Sequence, residues 1–287
     1  MYRITVGIDT EAASSAAVDW LTGWHRAARA QVTLVSAFDL LADDPDEVQA
    51  VLEREAWRVR RALPHAIVLT ELADGAIPSV LERAGDVADL LVVGSHRTRH
   101  LRSVLTGRLS LRVAEHAACP VVVVPDDWKH RTGSIVVGLG DDDDASVAAV
   151  AFAAAEAADL GVPLRVLHAW QAPILAGDIA VVAPDPVGLR SAHGERLAEV
   201  ARRARRRGAV VREHLHEGAP AFALSALGGD AALIVLGTHR TGPIGELLRG
   251  STAATLVRDS RTPVCVVPAH WREPAETVPA ELEDARG

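Results

Sequence analysis

The sequence repeats itself at long range. Segment 94–129 opens GSHRTRHLRSVLTG and closes CPVVVVPDDWK, and segment 237–272 opens GTHRTGPIGELLRG and closes TPVCVVPAHWR. The register is constant and ungapped, from Gly94/Gly237 through Pro125/Pro268 to Trp128/Trp271, always 143 residues apart. Solenoid repeats run to roughly 20–50 residues, so a period this long marks a duplicated domain. The 287 residues accommodate two domains of ordinary size. The expected boundaries are 1–128 and 129–272, followed by an acidic tail, 273–287, whose composition predicts mobility.

Each copy alternates apolar runs with helical patterns. The first carries RITVGI (3–8), VTLVSAF (32–38), AIVLTEL (66–72), LLVVG (90–94) and VVVVP (121–125). The second carries SIVVGL (134–139), LRVLHAW (164–170), VVREHL (210–215), LIVLG (233–237) and VCVVP (264–268). Between them fall helical patterns through Val18, Leu21 and Ala27, near 46–62, from Pro78, and near 108–117; then at 144–160, about 189–207, 220–227 and 251–259. Continuous Val/Ile/Leu runs are what strands covered on both faces require. Alternation of strand and helix gives parallel sheets with right-handed crossovers. The expectation is an α/β protein with two doubly wound, five-stranded parallel sheets.

Composition removes several classes of function. Lys+Arg is 30 against Asp+Glu 38, a net charge of −8, which argues against nucleic-acid binding. Two cysteines, Cys119 and Cys265, without a CxxC pair, exclude a disulfide scaffold or a zinc module and read as small core residues. The opening MYRITVGIDT is no signal peptide, and no apolar stretch reaches the roughly 18 residues of a membrane span. A cytoplasmic protein is expected. His214 and His216 share one face of a strand, but no further ligand accompanies them. The acidic run Asp141–Asp144 precedes a helix and complements its dipole, as the arginines at 202–207 do at a helix C-terminus. Trp128 and Trp271 are expected over sheet ends or between the halves.

In open α/β sheets ligands sit beyond the carboxyl ends of strands, where strand order reverses. Both copies place glycine at the end of the fourth strand, Gly94 and Gly237, and again at a helix start thirteen residues on, Gly107 and Gly250. Glycine there lets backbone amides approach an anion that the helix dipole favours. In the second copy Ser251 and Thr252 add hydroxyls. The glycine-rich loops contain no lysine, so this is no Walker motif.

Here the chain resembles the universal stress protein family, specifically its tandem members, over about 3–125 and 134–268. The resemblance rests on VGIDT, on VVGSH and VLGTH, on the late Gly-Ser, and on the closing VVVVP and VCVVP. It implies a Rossmann-like fold of the adenine nucleotide alpha hydrolase type, with strand order 3-2-1-4-5 in each half and the halves paired through their last strands. It also implies binding of ATP or another adenine nucleotide, with Mg as a companion ion. An aspartate after the first strand, here Asp9, and the backbone of the second strand, at Ala37 and Ala169, hold the adenosine. A motif of glycine, two residues, glycine, nine residues, glycine and Ser/Thr holds the phosphates.

This chain departs from that motif. Its middle glycine is Arg97 in one half and Arg240 in the other, and the first-half hydroxyl position is Arg108, with Ser110 nearby. An arginine at a close-approach glycine either blocks the phosphate path or pairs with the phosphate bidentately. The aspartate position in the second half is Gly140. If one half alone binds nucleotide, Gly250-Ser251-Thr252 favours the second, while Arg97, Arg99, Arg102 and Arg108 predict an anion site in the first. The resulting expectation is a nucleotide-responsive stress-response regulator with no catalytic residues. A non-nucleotide interaction protein that kept the fold is the alternative, and a weak ATP hydrolase a third reading. The oligomeric state, homodimer included, stays open.

Overall fold

The computed structural model describes residues 1–9, 12–38, 44–95, 106–140, 144–171, 186–238 and 252–273. The first half runs β1 (Arg3–Gly7), α1 (Ala12–Thr22), a short 3-10 turn (His25–Arg29), β2 (Gln31–Phe38), α2 (Pro45–Ala62), β3 (Ile67–Asp74), α3 (Ile77–Val87), β4 (Leu90–Gly94), α4 (Thr106–His116) and β5 (Val121–Val124). The second runs β6 (Ile135–Leu139), α5 (Asp144–Leu160), β7 (Leu164–Trp170), α6 (Pro186–Arg206), β8 (Val211–Glu217), α7 (Pro220–Gly228), β9 (Leu233–Thr238), α8 (Thr252–Asp259) and β10 (Val264–Pro268).

Strand order is β3-β2-β1-β4-β5 in the first half and β8-β7-β6-β9-β10 in the second, the 3-2-1-4-5 order in both. Pairing within each half is parallel. The two five-stranded units meet edge to edge. β5 and β10 pair antiparallel, Val264 opposite Val123 and Val266 opposite Val121, giving one ten-stranded sheet. Both edge strands thereby become interior, which removes two sticky edges from solvent.

Each face of the sheet carries one apolar core. Residues of α1, α2, α5 and α6, including Leu21, Leu52, Phe152 and Leu197, pack on one face. Residues of α3, α4, α7 and α8, including Leu81, Val113, Leu224 and Leu256, pack on the other. Both faces of the central strands are therefore covered, so β5 is four consecutive buried valines rather than an alternating strand. The same turn recurs in each half: Gly75 and Gly218 adopt φ of 126° and 139°, where a side chain is disfavoured.

One local expectation changes. The helical pattern through Ala27 breaks after Thr22: Gly23 N donates to Trp20 O and Trp24 N to Leu21 O, three-residue bonds that tighten the last turn. Trp20 and Trp24 then stack, centroids 4.6 Å apart, and both are buried. Gly23, a poor helix former, sits at the break.

Candidate functional site

The two crossovers after β1 and β2 lie on one face and those after β3 and β4 on the other. The reversal therefore falls between β1 and β4 in the first half, and between β6 and β9 in the second. These are the places where an open sheet forms a crevice. Because β5 and β10 are antiparallel, the two crevices open at opposite edges of the sheet.

In the first half, Asp9 lies two residues past the end of β1. Ile8 N donates to Val35 O at 2.8 Å, and the Ser36 hydroxyl donates to Ile8 O at 2.8 Å, which pins the strand ends beneath Asp9. Ala37 continues β2 at this edge, opposite Ala73. Gly94 ends β4, and its carbonyl accepts the buried Ser110 hydroxyl at 2.9 Å. Ser110 thus ties the first turns of α4, where Gly107 and Arg108 lie, to the strand end. Beside it the Ser95 hydroxyl, 2% exposed, donates to Asp126 Oδ1 at 3.0 Å. Asp9, Ala37, Gly94 and the N-terminus of α4 converge on one edge. Arg97 lies outside the described residues.

The second half is built differently. Gly140 stands where the first half has Asp9. Its amide donates to Ser146 Oγ at 3.0 Å, and its carbonyl accepts Arg196 Nη2 at 2.8 Å. His168 takes the place of Ser36. Its Nδ1 lies 3.2 Å from Leu139 O, so Nδ1 donates. In the neutral pair its Nε2 then accepts from His193 Nδ1, 2.8 Å away. The His193 ring also stacks on Trp170, 5.1 Å between centroids at 22°. Ala169 sits between them in β7, opposite His216. Gly237 has a packing reason of its own: a Cβ there would lie 2.2 Å from Ala145 O in the first turn of α5. Thr252 opens α8, whereas Arg240, Gly250 and Ser251 lie outside the described residues.

Sequence reasoning missed Ser36, Ser95, Asp126, His193 and Arg196. Only Ser95, inside VVGSH, carried a motif signal; the others belong to the site through contacts 25 or more residues apart in sequence. His214 and His216 do share a face of β8, and with Phe222 of α7 they line a groove of about 530 Å³. Among the described residues no group of three or more His, Cys, Asp or Glu could hold a metal ion. Trp271 packs edge-on against Phe152 and Trp128 against His130, both partly buried on the α1/α5 face. Cys119 and Cys265 are buried, and burial pushes the Cys119 thiol up to about 12. No helix among the described residues is long and apolar enough to cross a membrane.

A model of the universal stress protein family matches residues 1–125 and 132–268. A universal stress protein of Mycolicibacterium smegmatis is 31% identical over 290 residues, covering 93% of this chain and 97% of that one. A universal stress protein of Mycobacterium tuberculosis is 28% identical, covering 92% and 95%. The crystal structure of a universal stress protein from Archaeoglobus fulgidus superposes with a TM-score of 0.69 over 93% of this chain and 98% of that chain, at 18% identity, a likeness of fold.

Proposed function

This chain belongs to the universal stress protein family, with one copy of the family's domain in each half, and from that premise we propose that it is a cytoplasmic stress-response regulator that binds ATP or another adenine nucleotide. The observation that carries the proposal is the first-half edge, where Asp9, Ala37, Gly94 and the N-terminus of α4 converge at the strand reversal. In this reading Asp9 and the Ala37 backbone hold the adenosine. Amides around Gly107, with Arg97 and Arg108, hold the phosphates, and Mg accompanies them. An anion at a helix N-terminus is favoured by free N–H groups and by the dipole. The role is binding and response, not turnover.

The second half keeps a phosphate end, proposed at Gly237, Arg240, Gly250, Ser251 and Thr252. Its adenosine end has an observation against it. Arg196 already occupies the Gly140 carbonyl, and His193 already covers Trp170 beside Ala169. The sequence preference for the second half is therefore reversed here in favour of the first, and the second half fits better the reading in which the fold is kept and the adenosine position is filled by the protein itself. Mass spectrometry of ligand released from purified protein, followed by calorimetry with ATP, ADP and AMP, tests the proposal. One nucleotide per chain is expected. No released nucleotide and no heat with any of the three overturns it and leaves the interaction-protein reading.

A further inference from the structure

The seam between the halves holds a charge cluster that the strand-end sites do not use. His25 and Arg26, in the 3-10 turn of the first half, reach Glu156 and Asp159 in the last turns of α5. Arg26 Nε lies 2.7 Å from Glu156 Oε1, a close ion pair without hydrogen-bond alignment, and Arg26 Nη2 donates to Asp159 Oδ2. His25 Nε2 lies 3.6 Å from Asp159 Oδ2 and 3.8 Å from Glu156 Oε2. The Glu156 side chain is only 3% exposed. Its Oε2 is buried without a hydrogen-bond partner, and so are both nitrogens of His25. Two unsatisfied polar groups that face each other in a buried seam are costly unless something joins them.

The charge count says what is missing. One guanidinium stands against two carboxylates and a neutral imidazole, a net charge of −1. Among the described residues, the other groups packed on the cluster add no free cation. The Tyr2 ring lies 5.4 Å from the Arg26 guanidinium carbon, with its hydroxyl directed at Asp89 O; Glu273, past β10, is itself acidic and pairs with Arg207; and the Cys265 thiol of β10 is buried.

We propose that this cluster is a proton-operated clamp between the halves: one proton on the Glu156 carboxyl, whose Oε2 faces His25 Nε2 3.8 Å away, balances the charge of the cluster and lets the 3-10 turn close on α5, and its loss in mildly alkaline solution loosens the seam. The clamp lies at the far ends of two corresponding segments. α1, which leads into the 3-10 turn, begins just beyond Asp9, and α5 begins just beyond Gly140. The proton thus joins the ends remote from the two strand-end crevices.

Burial pushes the Glu156 carboxyl up to about 8; Arg26 opposes this, but its single charge is shared with Asp159, which reinforces the rise. Burial and Arg26 push the His25 imidazole down, with Asp159 opposing, and the net lowering leaves the proton on Glu156. A folded-state value raised above the ordinary 4.5 means stability that is fully present below 4.5 and lost as pH rises through about 8. Lowering of His25 acts in the opposite sense, below its ordinary 6.5. The uncompensated window therefore runs from about 6.5 to 8.

The test is denaturant unfolding of the full chain across pH 6–9, with hydrogen exchange on the same samples. The unfolding constant of the wild type is expected to rise up to about tenfold per pH unit in that window and then level. Glu156→Gln is expected to abolish that rise. Asp159→Asn alters a half-exposed side chain and leaves Arg26 wholly to Glu156, so it is expected to move the window to lower pH. Protection of the Val121–Val123 and Val264–Val266 amides, corrected for intrinsic exchange, is expected to fall over the window before that of Val32 and Val166. The clamp is overturned if Glu156→Gln keeps the wild-type slope, if Asp159→Asn leaves the window in place, or if seam and interior amides lose protection together. None of these readouts involves nucleotide, so a failed clamp and a failed nucleotide site are told apart.

Discussion

At the end of its second strand the first half carries Ser36 and the second half His168, and the helices above them differ to match. The buried stripe Leu52, Ala56, Val59 of α2 corresponds to Leu197, Ala201, Ala204 of α6, 145 residues on, which aligns Val48 with His193 and Val51 with Arg196. The first half thus has valines at these positions of α2 and a serine, bonded to the Ile8 carbonyl, at the strand end. The second fills the equivalent space with two hydrogen-bonded imidazoles, a stacked indole and a guanidinium on the strand-end carbonyl. The seam shows the same divergence. Trp24 of the first half, buried on Trp20, corresponds to the buried Glu156, 132 residues on, which lies beside Phe152 on α5. Duplication preserved the faces of the strands, which carry both cores, and left the strand ends and helix ends free to diverge.

The largest difference between the halves is expected from Gly237→Ala. The new methyl would meet the backbone of Ala145 rather than a flexible side chain, so urea unfolding should report a loss of about 3 kcal/mol. A loss below about 1 kcal/mol would mean that α5 does not press on the end of β9. Next comes His168→Ser, which gives the second half the first half's residue. It removes the partner of His193 and leaves space beneath α6, an expected loss of about 2 kcal/mol. An unchanged midpoint would show that the imidazole pair contributes nothing to folding.

Binding sharpens the contrast further. Asp9→Asn should weaken adenine-nucleotide affinity about tenfold by calorimetry, near 1.4 kcal/mol, whereas Gly140→Asp should leave it unchanged. The reverse pattern would put the nucleotide in the second half. The smallest effect is expected from Ser36→Ala, which orphans the Ile8 carbonyl and should cost about 1 kcal/mol in the same unfolding assay. A cost equal to that of His168→Ser would erase the difference between the two strand ends.

Much of this was legible in the residues, and the parts that were not share a cause. The valine runs announced β5 and β10, and Asp9, Gly94 and Gly107 fell at one sheet edge because strand–helix alternation puts every strand's carboxyl end there. The stop after Thr22 was read through because the apolar pattern was followed past Gly23 to Ala27, although Ala27 lies half a turn out of phase with Val18 at about 100° per residue; the three-residue bonds at Gly23 and Trp24 mark the break. Ser110, two residues past the motif's hydroxyl position, read as a phosphate neighbour, yet its hydroxyl donates to the Gly94 carbonyl sixteen residues away.

The duplication, the order of elements and the parallel sheet of each half follow from the residues alone, because period, apolar run length and glycine spacing can be read along the chain. Pairing of the halves through their last strands was implied by the family resemblance, but its antiparallel register, the reach of Arg196 to Gly140 across 56 residues, and the meeting of Arg26 with Asp159 across 133 came only from the folded chain. Such contacts are fixed by how the helices lie on the sheet. An arginine that pairs with a carboxylate in a buried seam and one that waves in solvent have the same neighbours in the chain; burial and the geometry of closure separate them.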